Sequence, residues 1–346
     1  MKKHAIIPIF VPHEGCPFDC SFCNQGKITA HGNPISMEDV KNTIDEWLST
    51  LSNMNLDTIE IAFFGGSFTG IPFIRQCEFL ETAKNYKDKG LVQKLHLSTR
   101  PDYINKKILD NLSHYGVDVI ELGVQSFDNN VLEEANRGYE KDIVYKSCEM
   151  IKEYGFELGI QLMIGLPKDN LDICKHSAME TVKINPDIVR LYPLVVIKST
   201  KLYDDYLKGI FSPISLEESI LRTKEMYKII DEAGINIIRV GLKSSDIIND
   251  EGDIIGKTFH PAFRQLVEGD IAYDRFISKI EEILENEESD LIDVEIQSNS
   301  NSISNAIGNC KRNKLRLEAK YPTMNIYFSV NEKLDNKEYF INRLNI

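Results

Sequence analysis

Six times from Ala5 onward, a short apolar run gives way to a stretch of helical periodicity. The runs are Ala5–Val11, Ile59–Phe64, Lys94–Thr99, Val117–Gln125, Glu157–Gly165 and Ile188–Ile197, and a seventh follows at Ile235–Val240. The first helical stretch opens at Ser36, with Asp39 three residues on, and runs through Ile44, Trp47 and Leu48. The others are Phe73–Tyr86, Tyr103–His114, a stretch through Ile151, Leu171–Val182 and Leu216–Asp231. Strands joined through helices run parallel, with the helices outside. The expected fold is α/β: a partial (β/α)6 TIM-like barrel over residues 1–243. In such folds the active site forms at the C-terminal ends of the strands.

After Gly241 the texture changes. Phe259–Leu284 reads as a helix, Ser298–Asn305 is rich in Ser and Asn, and Ile292–Ile296, Lys314–Ala319 and Met324–Val330 read as strands. Residues 244–346 are expected to form a small C-terminal α+β cap closing one side of the barrel.

The loop after the first strand carries Cys16, Cys20 and Cys23 at a C-x3-C-x2-C spacing. Thiolates this close in sequence can converge on one metal centre. A zinc site would need a fourth ligand, and the nearest candidates, His13 and His31, have no familiar spacing. A redox Cys20–Cys23 pair would leave Cys16 unexplained, and seven cysteines are an odd number for a disulfide framework. Three cysteines on a [4Fe–4S] cluster would leave one iron open to a reactive ligand, as catalytic zinc sites keep one position open.

Charge narrows the partners. The formal net charge is −13, whereas grip on nucleic acid usually needs a basic field. A small-molecule substrate is expected and nucleic acid is not. No apolar run is long enough to span a bilayer, and Pro8 and Pro12 interrupt the N-terminal apolar run where a signal peptide would lie. The expected location is cytoplasmic.

Polar or glycine-rich residues close the strands in turn. Gly65-Gly66-Ser67-Phe68 ends the second, Ser98-Thr99-Arg100 the third and Gln125 the fourth, with Asn136-Arg137-Gly138 beyond it. Gln161-Leu162-Met163-Ile164-Gly165 closes the fifth. Glycine after a strand commonly means only a tight turn, and a surface arginine or a core methionine needs no function.

The cysteine loop, with Phe22 before its third cysteine, resembles the cluster loop of the radical S-adenosylmethionine (SAM) superfamily. The resemblance implies that Cys16, Cys20 and Cys23 hold a [4Fe–4S] cluster whose open iron chelates SAM. Reductive cleavage of SAM then yields a 5′-deoxyadenosyl radical that abstracts hydrogen from substrate, with an electron donor such as flavodoxin or ferredoxin. It implies SAM contacts from Phe22, Gly65, Gly66, Ser67, Ser98, Gln125, Arg137, Gln161 and Met163, with Arg137 on the SAM carboxylate. Relatives often have a carboxylate at Ser98 and Asp at Gln161, so this chain departs from them there.

Leu191–Tyr203 and Arg239-Val240-Gly241-Leu242-Lys243 resemble the elongator catalytic-subunit-like branch, which places Tyr192, Lys198, Arg239 and Lys243 toward a substrate. Members of that branch that modify tRNA carry an acetyltransferase domain, for which this chain is too short. Among the compact members it is similar to are queuine lyases, which cleave the C–N bond joining a cyclopentenediol to a 7-deazaguanine core. A lyase acting on queuine or another modified nucleobase is therefore the implied activity. The remaining alternatives are a tRNA- or nucleoside-modifying radical SAM enzyme and a non-catalytic metal-binding module.

Overall fold

A computed structural model describes residues 3–11, 20–23, 35–242, 254–256, 258–285 and 293–344. Seven strands form one sheet: β1 (His4–Val11), β2 (Thr58–Gly65), β3 (Lys94–Thr99), β4 (Val119–Gln125), β5 (Glu157–Ile164), β6 (Ile188–Pro193) and β8 (Asn236–Val240). They lie in that order, and each pairs parallel with its neighbour. The sheet curls into a partial barrel, as expected. β7 (Val196–Ile197) stands apart and pairs antiparallel with β9 (Ile254–Ile255), so the apolar run from Ile188 is two strands broken after Pro193.

The helices between strands are α1 (Met37–Leu51), α2 (Phe73–Asp88), α3 (Lys106–His114), α4 (Asn129–Glu134), α5 (Lys141–Glu153), α6 (Leu171–Ile184), α7 (Lys201–Leu207) and α8 (Leu216–Glu232). Their starts are written in side chains. Ser36 and Asp39 form a reciprocal capping box, and Asn105, Asp128, Asn170, Thr200 and Ser215 each accept a backbone N–H of the first turn. The helical stretch through Ile151 is two helices, α4 and α5, broken around Asn136 and Gly138, both at positive φ.

One face of the sheet carries Ile61, Phe63, Leu95, Leu97, Ile120, Leu122, Leu158 and Ile160, all essentially buried in the main core with the helices. Burying each such side chain contributes about 1.5–3 kcal/mol. Alternate residues of the same strands point the other way, as strand geometry requires. On that concave side stand Glu60, His96, Glu121, Gln161 and Arg190, which meet as described below.

The C-terminal part has its own core, built from α9 (Phe263–Glu285), β10 (Asp293–Ser298), α10 (Ile303–Ile307), α11 (Arg312–Lys320), β11 (Asn325–Val330) and β12 (Phe340–Leu344). Its sheet runs β11-β10-β12. α9 belongs to both cores: Phe263, Leu266 and Val267 join the barrel core, whereas Ala272, Phe276 and Ile280 join the second. It packs on α8, where Lys224 pairs with Asp270 and Asp274, and lies beside the edge strand β8. α9 begins after Pro261 rather than at Phe259, and the ring Nδ1 of His260 accepts the N–H of Ala262 at 3.0 Å.

One sequence expectation fails here. Lys314–Ala319 is helical, inside α11, and not a strand. The alternation of Leu315 and Leu317 suggested a strand, but Leu315 is 58% exposed and Leu317 fully buried. The buried pair is Asn313 and Leu317, four apart, which is helical spacing.

Candidate active site at the C-terminal ends of β1 to β5

Ten of the residues expected at the cofactor meet in one cleft: Cys20, Phe22, Cys23, Gly65, Gly66, Ser67, Ser98, Gln125, Arg137 and Gln161. Thr99, Arg100 and Gly123 complete its lining, and it encloses about 160 Å3. Cys16 and Lys243 lie outside the described residues. Met163 does not line the cleft; it packs with Phe22 against an apolar cluster behind it that includes Leu166, Leu194 and Leu202.

The cysteine segment is held by backbone bonds from elements far along the chain. Ser21 N–H donates to the Ala135 carbonyl at the end of α4, and Leu202 N–H in α7 donates to the Ser21 carbonyl. Cys23 N–H returns to the Cys20 carbonyl at 3.0 Å, a tight turn that keeps the two thiols on one loop.

At the end of β2 the chain passes under β1. Gly66 N–H donates to the Val11 carbonyl, and a Cβ on Gly65 would lie 2.6 Å from that oxygen. Gly65 also has φ +109°, which side-chain-bearing residues rarely adopt. Ser67 Oγ and Thr69 Oγ1 both bond Thr99 Oγ1, at 2.7 and 2.6 Å, and Ser67 Oγ accepts Arg100 N–H at 3.1 Å. The glycine turn is thereby fixed against the end of β3.

Two guanidiniums converge on the Cys20 sulfur. Arg137 Nη1 lies 3.2 Å from it and Arg100 Nη1 3.8 Å. Arg137 is not a surface arginine: it is 5% exposed, stands between Asn136 and Gly138 at positive φ, and donates to the Gly123 carbonyl and the Tyr139 hydroxyl. Burial works against its charge, but Tyr139 and Cys20 outweigh it and hold the group charged. Asp102 accepts two bonds from Arg100, and the second guanidinium also donates to the Arg137 carbonyl. Hydrogen bonds to a ligating sulfur are one of the levers on the potential of an iron–sulfur centre.

Gln125 closes β4 at φ +72°, where the β4–β5 register shifts, and its buried Oε1 has no partner among the described residues. A strained residue with an unpaired acceptor in a cleft is where a ligand donor belongs. Gln161 Nε2 donates to Glu121 Oε1 at 2.8 Å, which aims its carbonyl oxygen away from Glu121. The glycine turn, the orphaned acceptor and the thiols fit a site that takes a thiolate-held cluster and a small zwitterion beside it.

Beneath the cleft runs a polar ladder that the sequence reading did not single out. His4 Nε2 lies 3.1 Å from Glu60, His96 Nδ1 3.0 Å from Glu60, His96 Nε2 3.0 Å from Glu121, and Arg190 Nε 2.7 Å from Glu121. The last two are ion pairs bent away from good hydrogen-bond geometry. Arg190 Nη1 reaches the Tyr192 hydroxyl at 3.3 Å. A Cβ on Gly159 would meet Glu121 Cγ at 2.7 Å, so the glycine makes room for that carboxylate. The signal was present: ionisable residues inside apolar strands are almost never buried without partners. Of the substrate-side candidates, Tyr192 and Arg239 stand on this face beside Arg190, and Lys198 lies just after β7.

Residues 10–178 match the radical SAM superfamily and residues 186–273 match the radical SAM C-terminal domain. The chain belongs to the radical SAM superfamily, whose members use a [4Fe–4S] cluster and SAM. It is 26% identical over 254 residues to the tRNA uridine(34) acetyltransferase of Methanocaldococcus infernus, covering 62% of this chain and 48% of that protein. It is 29% identical over 220 residues to human Elongator complex protein 3, covering 55% and 40%. The chain thus spans about half the length of these relatives or less. The solved archaeal M. infernus Elp3 with an N-terminal deletion has the same fold, with TM-score 0.61 at 22% identity over 81% of this chain and 64% of that one. Among the described residues no helix is long and apolar enough to cross a membrane.

Proposed function

We propose that this chain is a radical SAM enzyme of the cytoplasm that abstracts a hydrogen atom from a small polar molecule held on the concave face beyond Gln161. One observation carries it: two of the three cysteines, the Gly65–Gly66 turn, Gln125 and Arg137 come from four separate stretches of chain and line one cleft. Cys16, Cys20 and Cys23 would hold the cluster, and the backbone at Gly65, Gly66 and Ser67 would take the SAM amino group. Arg137 would turn a guanidinium edge to its carboxylate. Gln125, Ser98 and Gln161 would present polar atoms to its ribose and adenine, and Phe22 and Met163 apolar surface. The cluster and SAM together would supply the radical; the protein would supply orientation and exclusion of water. Tyr192, Lys198, Arg239 and Lys243 would face the substrate.

For the substrate the resemblance stated above suggests a modified nucleobase, with queuine the first to test and C–N cleavage the reaction. The formal charge of −13 supports a free small molecule over a polyanion. A second reading, modification of tRNA, has one observation behind it: the names of the relatives. The experiment is anaerobic reconstitution, then dithionite and SAM, with 5′-deoxyadenosine read by mass spectrometry in wild type and Cys20→Ala. Queuine and unmodified tRNA are added in separate arms. Wild type should form 5′-deoxyadenosine and the variant should not, and queuine should be consumed. If tRNA alone is modified, the second reading replaces the first. If wild type binds zinc and no iron, both fall.

A further inference from the structure

We infer that the substrate of this site carries an anionic group, a carboxylate or a phosphate, and that Arg190 and Arg239 clamp it on the concave face. The inference rests on the radical SAM reading above and departs from its first test substrate: queuine carries neither a carboxylate nor a phosphate, so an anionic substrate means a molecule other than queuine.

Arg190 and Arg239 are register partners on the parallel neighbours β6 and β8. The register shifts just before this pair, but their neighbours Val189, Leu191, Ile237 and Val240 all join the main core, which leaves both arginines on the opposite face of strands about 4.8 Å apart. Gln161, which lines the SAM cleft, is the register partner of Arg190 on its other side. The two arginines thus continue the cleft toward the open edge of the sheet.

Arg190 is held and incompletely used. Its side chain is nine-tenths buried, its Nε is ion-paired to Glu121, its Nη1 reaches Tyr192 and its guanidinium lies 5.1 Å from the centre of the Phe64 ring. Its Nη2 is buried and has no hydrogen-bond partner among the described residues. Burying a guanidinium N–H without an acceptor is costly, so such an orphan marks where an acceptor from a ligand would sit. Glu121 cannot fill that place: its Oε1 already serves Arg190 Nε and Gln161, and its Oε2 faces His96.

Arg239 makes no hydrogen bond or ion pair among the described residues. Burial, and then the like charges of Arg190 and Arg264, disfavour its charge more than Tyr192 and Glu121 support it. Arg264 is itself committed to Glu268 at 2.8 Å. The place between Arg190 and Arg239 therefore holds one guanidinium with no countercharge beside it, a planar fork stacked near Phe64, and no acceptor among the described residues. Two guanidinium edges side by side suit bidentate capture of a carboxylate or phosphate.

The test uses the holoenzyme, reconstituted anaerobically and saturated with SAM, without reductant, so that the cleft at Arg137 is filled. Inorganic phosphate is titrated in one arm and acetate in the other, each by calorimetry. At least one should bind saturably, with affinity reduced about tenfold or more in Arg239→Gln, as expected for losing a charged partner. The arm that binds tells phosphate from carboxylate. Arg239→Lys, which keeps the charge but not the fork, should bind more weakly than wild type and more tightly than Arg239→Gln, and it serves if the glutamine variant does not fold. Binding of neither anion, or equal affinity in wild type and both variants, overturns the inference. SAM cleavage by wild type, read separately, tells the two readings apart. Cleavage without anion binding removes the subsite alone, and Arg239-dependent binding without cleavage removes the functional reading alone.

Discussion

Replacing Glu121 by Gln keeps the shape of the side chain and removes the charge on which the ladder turns. Glu121 is fully buried, with Arg190 Nε at 2.7 Å, Gln161 Nε2 at 2.8 Å and His96 Nε2 at 3.0 Å. All three face it as donors or cations, so a glutamine must turn its NH2 group toward at least one of them. Removing one partner of a buried pair typically costs about 3–5 kcal/mol, because the other charge stays buried. The expected loss is in that range, with a fall in Tm of roughly 10 °C. The assay is urea unfolding followed by circular dichroism, with the slope against denaturant checked for change.

The same network predicts a pH dependence. Burial opposes the charge on His96, but Glu121 and Glu60 outweigh it and raise its pKa above 6.5. A raised folded-state value means that this contribution is complete below about 6.5 and lost as pH rises through the folded value. Burial would raise Glu121 and Glu60, yet His96 and, for Glu121, Arg190 hold both low. Their contribution is present above about 4.5 and lost as pH falls through their folded values. Wild type should therefore lose stability on the alkaline side, and Glu121→Gln should lose less there. A destabilisation below about 1 kcal/mol, the scale of an exposed pair, or identical alkaline slopes would refute the reasoning.

Gly65→Ala puts a methyl group 2.6 Å from the Val11 carbonyl oxygen at φ +109°, so SAM binding, read by equilibrium dialysis, should weaken and stability fall by about 1–3 kcal/mol. Unchanged SAM affinity would mean that the turn does not form part of the site. In the C-terminal unit the buried Asn313 amide donates to the carbonyls of Gly269, Asn305 and Ala306. Asn313→Ala should cost about 1–3 kcal/mol by denaturant unfolding while leaving SAM binding in place.

The parallel sheet was legible because its cause is local: β1 to β6 and β8 are apolar runs with capped helices between them. The cleft was largely legible for the same reason, since most residues assigned to it end a strand or lie in the loop that follows one, and strand ends gather on one side of a parallel barrel. Where local pattern and packing disagreed, packing decided. Leu315 and Leu317 alternate as in a strand, yet the second core accepts only Leu317, together with Asn313 one helical turn back. Arg137 was assigned to the cofactor by resemblance, but its burial was not legible locally: Asn136 and Gly138 at positive φ flank it, and the Cys20 sulfur, Gly123 and Tyr139 accept its donors. The roles of Arg100, Glu121 and Arg190 were not legible because their meaning lies in neighbours from other stretches of chain. By itself the sequence determined the kind of sheet and which strand ends bear chemistry, since side-chain period and chain direction are properties of a segment. Only the tertiary structure decided which charges meet across the concave face, because those pairs join residues up to 69 positions apart, Glu121 and Arg190 among them, and sheet register alone brings them together.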